Sequence, residues 1–75
     1  MTAQRLSDVA IGSSATVIEV EGMDEIAIRL MEMGIVPGAA ISTLGAAPLG
    51  DPLEYALRGY RLSLRRSEAQ RILVK

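Results

Sequence analysis

Neither cysteine nor histidine occurs among the 75 residues of the chain. Without cysteine there is no disulfide to stabilise the fold and no thiolate to bind a metal, a composition typical of a reducing compartment, so we predict the cytoplasm. Without either residue the chain also lacks the groups that most often serve in acid–base and nucleophilic catalysis near neutral pH. We therefore predict that the chain is not an enzyme and holds neither a cofactor nor a tight metal site.

Aromatic residues and long apolar runs are scarce as well. Tyr55 and Tyr60 are the only aromatic residues. Because nucleic-acid bases stack on aromatic side chains, we predict no nucleic-acid binding, although a nucleic-acid-binding barrel remains an alternative. No apolar run approaches the roughly 18 residues of a membrane-spanning helix, and Arg5 and Asp8 interrupt the region where a signal peptide would be apolar. We expect a soluble chain with no direct membrane insertion.

The chain does have the composition of one small globular domain. Hydrophobic residues make up 49% of it and the formal net charge is −1, values typical of a folded protein rather than a disordered one. A chain of this length encloses one modest core, so we predict that residues 1–75 form a single domain. The charges are unevenly placed, with acidic residues concentrated in the first half and arginines in the second.

A helix is predicted over residues 24–33, beginning at Asp24. Acidic residues in a first turn favour a helix start, because the free amide groups there carry partial positive charge. At about 100° per residue, Ala27, Leu30 and Met31 share a stripe that we predict to be buried. Gly34 after the helix, followed by Ile35, predicts a left-handed Schellman ending.

The rest of the chain is typical of short strands separated by turns. Runs of β-branched and small residues alternate with clusters of glycine, proline and serine. Ser67-Glu68-Ala69-Gln70 resembles a capping box that begins a single helical turn. Strands are predicted at residues 15–20, 40–44, 53–58, 61–65 and 72–74. We therefore predict a mainly β protein, a small partly open β-barrel of about five strands with one inserted α-helix.

The clearest hairpin surrounds Gly59 and Tyr60. Glycine at the first of two turn positions favours a type II′ turn. With this turn the apolar residues of both strands fall on one face, as cross-strand packing requires. The predicted pairs are Arg58 with Arg61, Leu57 with Leu62, Tyr55 with Leu64 and Glu54 with Arg65.

Three segments of the chain, in this order, closely resemble the FeoA family. They are IRLMEMGIVPG at residues 28–38, APLGDP at 47–52 and LSLRRSEA at 62–69. The resemblance implies an SH3-like barrel and a small cytoplasmic accessory protein of bacterial ferrous iron uptake. It also implies a partner, FeoB, the membrane permease that carries a GTPase domain. The chain departs from the family pattern at Ile28, where a second arginine is usual, and at Met33, where leucine is usual.

Two regions are candidates for binding such a partner. On the helix, Ile28 falls in the polar arc, with Met31 at its edge, and the two could form a docking patch. In the loop over residues 47–52, Leu49 is an apolar residue among glycine, proline and aspartate, and Pro48 reduces the entropy lost on binding. In the alternative interpretation, Leu49 folds back over the mouth of the barrel and Asp51 caps a turn.

Other interpretations also remain open. Similar barrels are appended to metal-dependent repressors, so a metal-responsive regulatory domain is an alternative function, although the sequence shows no helix-turn-helix pattern. Exposed edge strands could pair with a second copy in a weak homodimer. The thioethers of Met23, Met31 and Met33 could meet at a metal, but methionine beside Leu30 is typical of a core residue.

Overall fold

The computed structural model describes residues 3–75, which form an antiparallel sheet and two helices. The elements in chain order are β1 (Gln4–Arg5), a 3₁₀ turn (Leu6–Asp8), β2 (Ser14–Val20), α1 (Glu25–Glu32), β3 (Ala40–Ala46), β4 (Leu53–Leu57), β5 (Tyr60–Leu64), α2 (Arg66–Ala69) and β6 (Ile72–Val74). The strands lie in the order β1-β6-β2-β3-β4-β5, without pairing between β1 and β5. The prediction of a mainly β, partly open architecture is confirmed, and β1 is a sixth strand that was not predicted.

One aliphatic cluster forms the core, as the composition requires. It draws on the sheet, on α1 and on the connections, with Leu30 of α1 and Ile72 of β6 fully buried. Tyr55 of β4 is also fully buried, as expected for a residue on the apolar face of the predicted hairpin. Between residues 3 and 75, no helix has the length and apolar character needed to cross a bilayer.

α1 is one residue shorter at each end than predicted, because Asp24 and Met33 are its caps, while the predicted Schellman ending is confirmed. Asp24 is the N-cap, and its Oδ1 accepts a hydrogen bond of 3.1 Å from the backbone N–H of Ala27. Gly34 has a φ of 98°, the left-handed conformation that a Schellman ending needs. The two hydrogen bonds of that ending run from Gly34 N to Met31 O (3.0 Å) and from Ile35 N to Leu30 O (3.2 Å).

The predicted burial of Met31 is wrong, since its side chain is 41% exposed. The buried stripe of α1 is centred on Leu30, with Ala27 on one side and the partly buried Ile26 and Met33 on the other. Met31 lies about 100° around the helix from Leu30. The stripe of α1 that contacts the core is narrow, so Met31 lies outside this stripe.

The predicted turn of the β4–β5 hairpin is also wrong. The two turn residues are Arg58 and Gly59, with φ values of 47° and 90°, and two positive φ values define a type I′ turn. The register is therefore shifted by two residues. A shift of two keeps every side chain on its predicted face. The observed pairs are Leu57–Tyr60, Ala56–Arg61, Tyr55–Leu62, Glu54–Ser63 and Leu53–Leu64, so Glu54 faces Ser63 rather than Arg65.

A single turn, α2, connects β5 to β6. It begins at Arg66, one residue before the predicted start at Ser67. The carboxylate of Glu68 accepts a hydrogen bond of 2.9 Å from the backbone N–H of Arg65, the N-cap residue. This is one half of a capping box; the other half needs an acceptor on the N-cap side chain, which arginine lacks.

Candidate docking surface

The loop between β3 and β4 is held in place by α2. Within the loop, hydrogen bonds join Ala47 N to Pro52 O at 2.9 Å and Gly50 N to Ala47 O at 2.7 Å. Arg66 donates its backbone N–H to Oδ1 of Asp51 at 2.9 Å and a guanidinium N–H to the carbonyl of Gly50 at 3.0 Å. The loop is thus fixed both internally and to the first residue of α2.

This anchored loop presents Leu49 to solvent. The side chain of Leu49 is 97% exposed, and Pro48 beside it is exposed as well. Leu49 therefore does not cover the mouth of the barrel, and that part of the alternative interpretation is wrong. Asp51 does act as a cap, but its carboxylate accepts from the first amide of α2 rather than from a turn of its own loop. Docking by Pro48, Leu49 and Asp51 stays a prediction.

The outer face of α1 carries a second apolar pair. Ile28 is 50% exposed and Met31 is 41% exposed. Residues at this spacing are neighbours on a helix surface, so the two side chains form one small apolar patch among the charged residues of α1. This patch matches the predicted position of Ile28 and Met31, and their role in binding remains a prediction.

α2 connects the two predicted regions. Glu68 of α2 forms an ion pair with Arg29, the residue that follows Ile28. Arg66, at the start of the same turn, holds the loop that carries Leu49. In the described part of the chain, no hydrogen bond or ion pair joins the loop to α1 directly. The structure therefore links the two regions through one helical turn, of about 6 Å in length at 1.5 Å per residue.

Met23 is a further exposed apolar residue, which the sequence suggested only as a thioether ligand. Its side chain is 99% exposed. The next residue, Asp24, is bonded at both carboxylate oxygens by Arg71, at 2.6 and 2.8 Å. Arg71 and the N–H of Ala27 lower the pKa of Asp24 from 3.8 to about 2. The position of Met23 between Gly22 and a helix cap was the signal that could have predicted a turn tip.

These apolar residues share one arrangement. In each of the three regions, the residue after the exposed apolar one is bonded to the segment over residues 66–71. These bonded residues are Asp24 after Met23, Arg29 after Ile28 and Gly50 after Leu49. We call the set Met23, Ile28, Met31 and Leu49 the docking surface, a name that refers to their predicted role in binding. Its apolar side chains project from backbone that is fixed by ion pairs and hydrogen bonds, which suits recognition of another protein surface.

Other polar groups offer little chemistry. Among residues 3–75 no three acidic side chains gather as they would around a metal ion. Met33 packs against the core while Met23 is almost fully exposed, so the three thioethers lie in different environments. The hydroxyls of Thr43 and Tyr55 are buried without a hydrogen-bond partner in the described residues. Burial raises the pKa of Tyr55 to about 12, which keeps this phenol neutral.

Comparison with known proteins agrees with the predicted resemblance. The FeoA domain model matches residues 4–75. The Fe(2+) transport protein A/Fe(2+) transporter FeoB fusion protein of Porphyromonas gingivalis is 41% identical over 71 residues, which make up 95% of this chain and 8% of that protein. The chain thus spans only a small part of this curated relative.

Two solved structures are similar over the whole of this chain. An FeoA-like protein from Clostridium acetobutylicum has 46% identity and a TM-score of 0.91, with 88% of its own chain covered. The FeoA of Stenotrophomonas maltophilia, an SH3 domain protein in complex with zinc, has 34% identity and a TM-score of 0.83, with 91% of its own chain covered. The predicted SH3-like fold is confirmed, and the chain belongs to the FeoA domain family.

Proposed function

We propose that the chain is a small cytoplasmic accessory of ferrous iron uptake that docks onto an FeoB-type membrane transporter. The observation that carries this proposal is the Porphyromonas gingivalis relative, in which a matching domain and the FeoB transporter form one polypeptide. Domains that are fused in one protein commonly act together. Membership of the FeoA family supports the same conclusion.

The docking surface supplies a physical means for this association. Fully burying an exposed leucine side chain contributes about 1.5–3 kcal/mol, and Leu49 is 97% exposed. Ile28 is 50% exposed, so covering it contributes roughly half as much. The loop that carries Leu49 is already fixed by Arg66, so little entropy is lost when a partner covers it. In this proposal the chain supplies shape and surface, while nucleotide hydrolysis and iron permeation belong to the transporter.

Complex formation with the transporter tests the proposal. The full chain is titrated into the purified FeoB-type transporter of the same organism in detergent, and heat of binding is measured. In parallel, ferrous iron uptake is measured in cells with and without the gene for this chain. We expect a saturable complex and reduced uptake when the gene is deleted. Absence of a complex together with unchanged uptake contradicts the proposal.

A further inference from the structure

The outer edge of β5 (Tyr60–Leu64) is a feature that the docking surface does not use. β5 ends the strand order, and β4 is the only strand that pairs with it among residues 3–75. Apart from that pairing, no hydrogen bond in the described chain involves the backbone of β5. A strand edge with free N–H and C=O groups is a template for one more strand.

The hairpin register shows which backbone groups are free. The two-residue turn closes on Leu57 and Tyr60, so these two residues exchange both hydrogen bonds. In an antiparallel ladder such pairs alternate with pairs whose N–H and C=O groups point away from each other. Arg61 and Ser63 belong to the second kind. Their backbone donors and acceptors therefore face outward from the edge of the sheet.

The same edge carries positive charge without a matching acid. Arg61 is exposed on β5, Arg65 is exposed directly after the last residue of the strand, and Arg58 is exposed in the turn. None of the three forms an ion pair with any residue between 3 and 75. The exposed Glu54 on β4 faces Ser63, and it is not within ion-pair distance of either neighbouring arginine. The two-residue shift of register removes the acidic partner that the predicted register gave to Arg65.

We propose that the edge of β5 binds an extended acidic segment of a partner protein as an added strand. The backbone groups of Arg61 and Ser63 would hydrogen-bond the backbone of that segment, as in other cases of strand addition. The guanidinium groups of Arg61 and Arg65 would select carboxylate side chains, since arginine and carboxylate form strong paired hydrogen bonds. This inference is independent of the proposed function, because neither the docking surface nor the identity of the transporter enters it.

A second copy of the chain fits this edge poorly. Pairing of two β5 strands would bring Arg61 of both copies to one seam without supplying a carboxylate to either, since the outward-facing residues of β5 are Arg61 and Ser63. Nucleic acid fits poorly too, because bases need aromatic platforms. Tyr60 is the only exposed aromatic residue, and its hydroxyl is bonded to the end of α1. The combination of free backbone groups and basic side chains favours an acidic peptide.

Binding of a synthetic peptide tests the inference. The probe has alternating glutamate and valine over about eight residues, which is within the length of ordinary strands. A matched control has the same side chains, with alternate backbone nitrogens methylated so that they cannot donate. In a titration followed by amide NMR signals, we expect the unmodified peptide to shift Arg61 and Ser63 and to slow their exchange with solvent. The methylated peptide should bind about tenfold more weakly, because it forms fewer backbone hydrogen bonds.

Substitutions in the protein give an independent check. Ser63→Pro removes one outward N–H, while Ser63→Ala keeps it, and an outward N–H is the position where an edge strand tolerates proline. We expect about tenfold weaker binding for Ser63→Pro and unchanged binding for Ser63→Ala. Joint replacement of Arg61 and Arg65 by glutamine should also weaken binding, without loss of the circular dichroism signal of the fold. If Ser63→Pro does not fold, the methylated peptide decides the matter.

Three results would overturn the inference. The first is equal affinity for the methylated and unmodified peptides, which would leave charge as the only attraction. The second is a set of shifted signals that excludes β5. The third is tighter binding of a single-stranded oligonucleotide at the same residues, which would assign the edge to nucleic acid.

Discussion

The phenolic hydroxyl of Tyr60 donates a hydrogen bond to the backbone carbonyl of Met33. Tyr60 is the first residue of β5, and Met33 is the C-cap of α1. Carbonyls at the end of a helix lack partners within the helix, so this side chain satisfies one of them from the hairpin. The contact fixes the end of α1, and with it the patch of Ile28 and Met31, relative to the sheet.

Removal of the Tyr60 hydroxyl should therefore destabilise the fold. We expect Tyr60→Phe to lower the free energy of unfolding by about 1 kcal/mol, the usual net contribution of one hydrogen bond. Urea unfolding followed by circular dichroism measures the change. Tyr55→Phe is the matched control, because the Tyr55 hydroxyl is buried without a partner in the described residues. Its removal should leave stability unchanged or raise it, and a larger loss for Tyr55→Phe than for Tyr60→Phe would contradict the interpretation.

The ion pair between Asp24 and Arg71 should make stability depend on acidity. The pKa of Asp24 is lowered from 3.8 to about 2 in the folded chain, chiefly by the hydrogen bonds from Arg71. A lowered folded pKa means that the stabilisation is present above pH 4 and is lost as the pH falls from about 4 to about 2. Asp24→Asn keeps a good N-cap residue but removes the charge.

We expect Asp24→Asn to flatten the fall of the thermal midpoint across that acidic range. Asp8→Asn is the control, since Asp8 is exposed and has no ion pair within residues 3–75. Thermal unfolding measured at several pH values checks the prediction. Identical pH profiles for the wild type and Asp24→Asn would show that the ion pair does not contribute.

The exposed Leu49 should contribute to binding rather than to stability. We expect Leu49→Ser to weaken the complex with the transporter about tenfold or more, because a leucine covered by a partner contributes at least one factor of ten. The thermal midpoint should stay unchanged, since Leu49 is 97% exposed. Leu44→Ser is the matched control, because Leu44 is partly exposed on β3, outside the docking surface. Equal effects of the two substitutions on affinity would exclude a specific role for the loop.

A side chain at Gly34 should destabilise the fold. Its φ is 98°, and an added Cβ would lie 3.2 Å from the Tyr60 hydroxyl and 3.3 Å from Cδ2 of Leu57. An alanine in the left-handed conformation costs about 1–2 kcal/mol. We expect Gly34→Ala to lower the free energy of unfolding by more than this, because its Cβ is also crowded. Gly38→Ala separates the two causes, since Gly38 has a φ of 91° and nothing within 4 Å of an added Cβ. The urea unfolding midpoints of both variants measure the difference. Equal losses of stability in the two variants would mean that the neighbours of Gly34 move aside at no cost.

The features that sequence predicts well here are those whose cause is local. The caps of α1 depend on Asp24, Gly34 and Ile35, which lie within one turn of the helix that they end. The exposure of Ile28 follows from helical spacing in the same way. The alternation of β4 and β5 predicts the inward faces even with a wrong register, because a shift of two residues preserves the faces.

The features that sequence misses depend on distant residues or on unusual conformations. β1 consists of Gln4 and Arg5, which have no strand-like pattern and become a strand only by pairing with β6. The type I′ turn requires a positive φ at Arg58, which residue type does not predict. Asp51 caps α2 from a loop that is separate in sequence. Each of these features requires the tertiary structure to be known.

The pairing of β1 with β6 also determines how this domain can be joined to other polypeptides. Gln4 lies opposite Val74 in the ladder, so a tether attached before β1 and one attached after β6 would leave from neighbouring points. Such adjacency suits insertion and circular permutation. In a fusion protein, either order of the two parts would hold this domain at a similar effective concentration near the rest of the polypeptide.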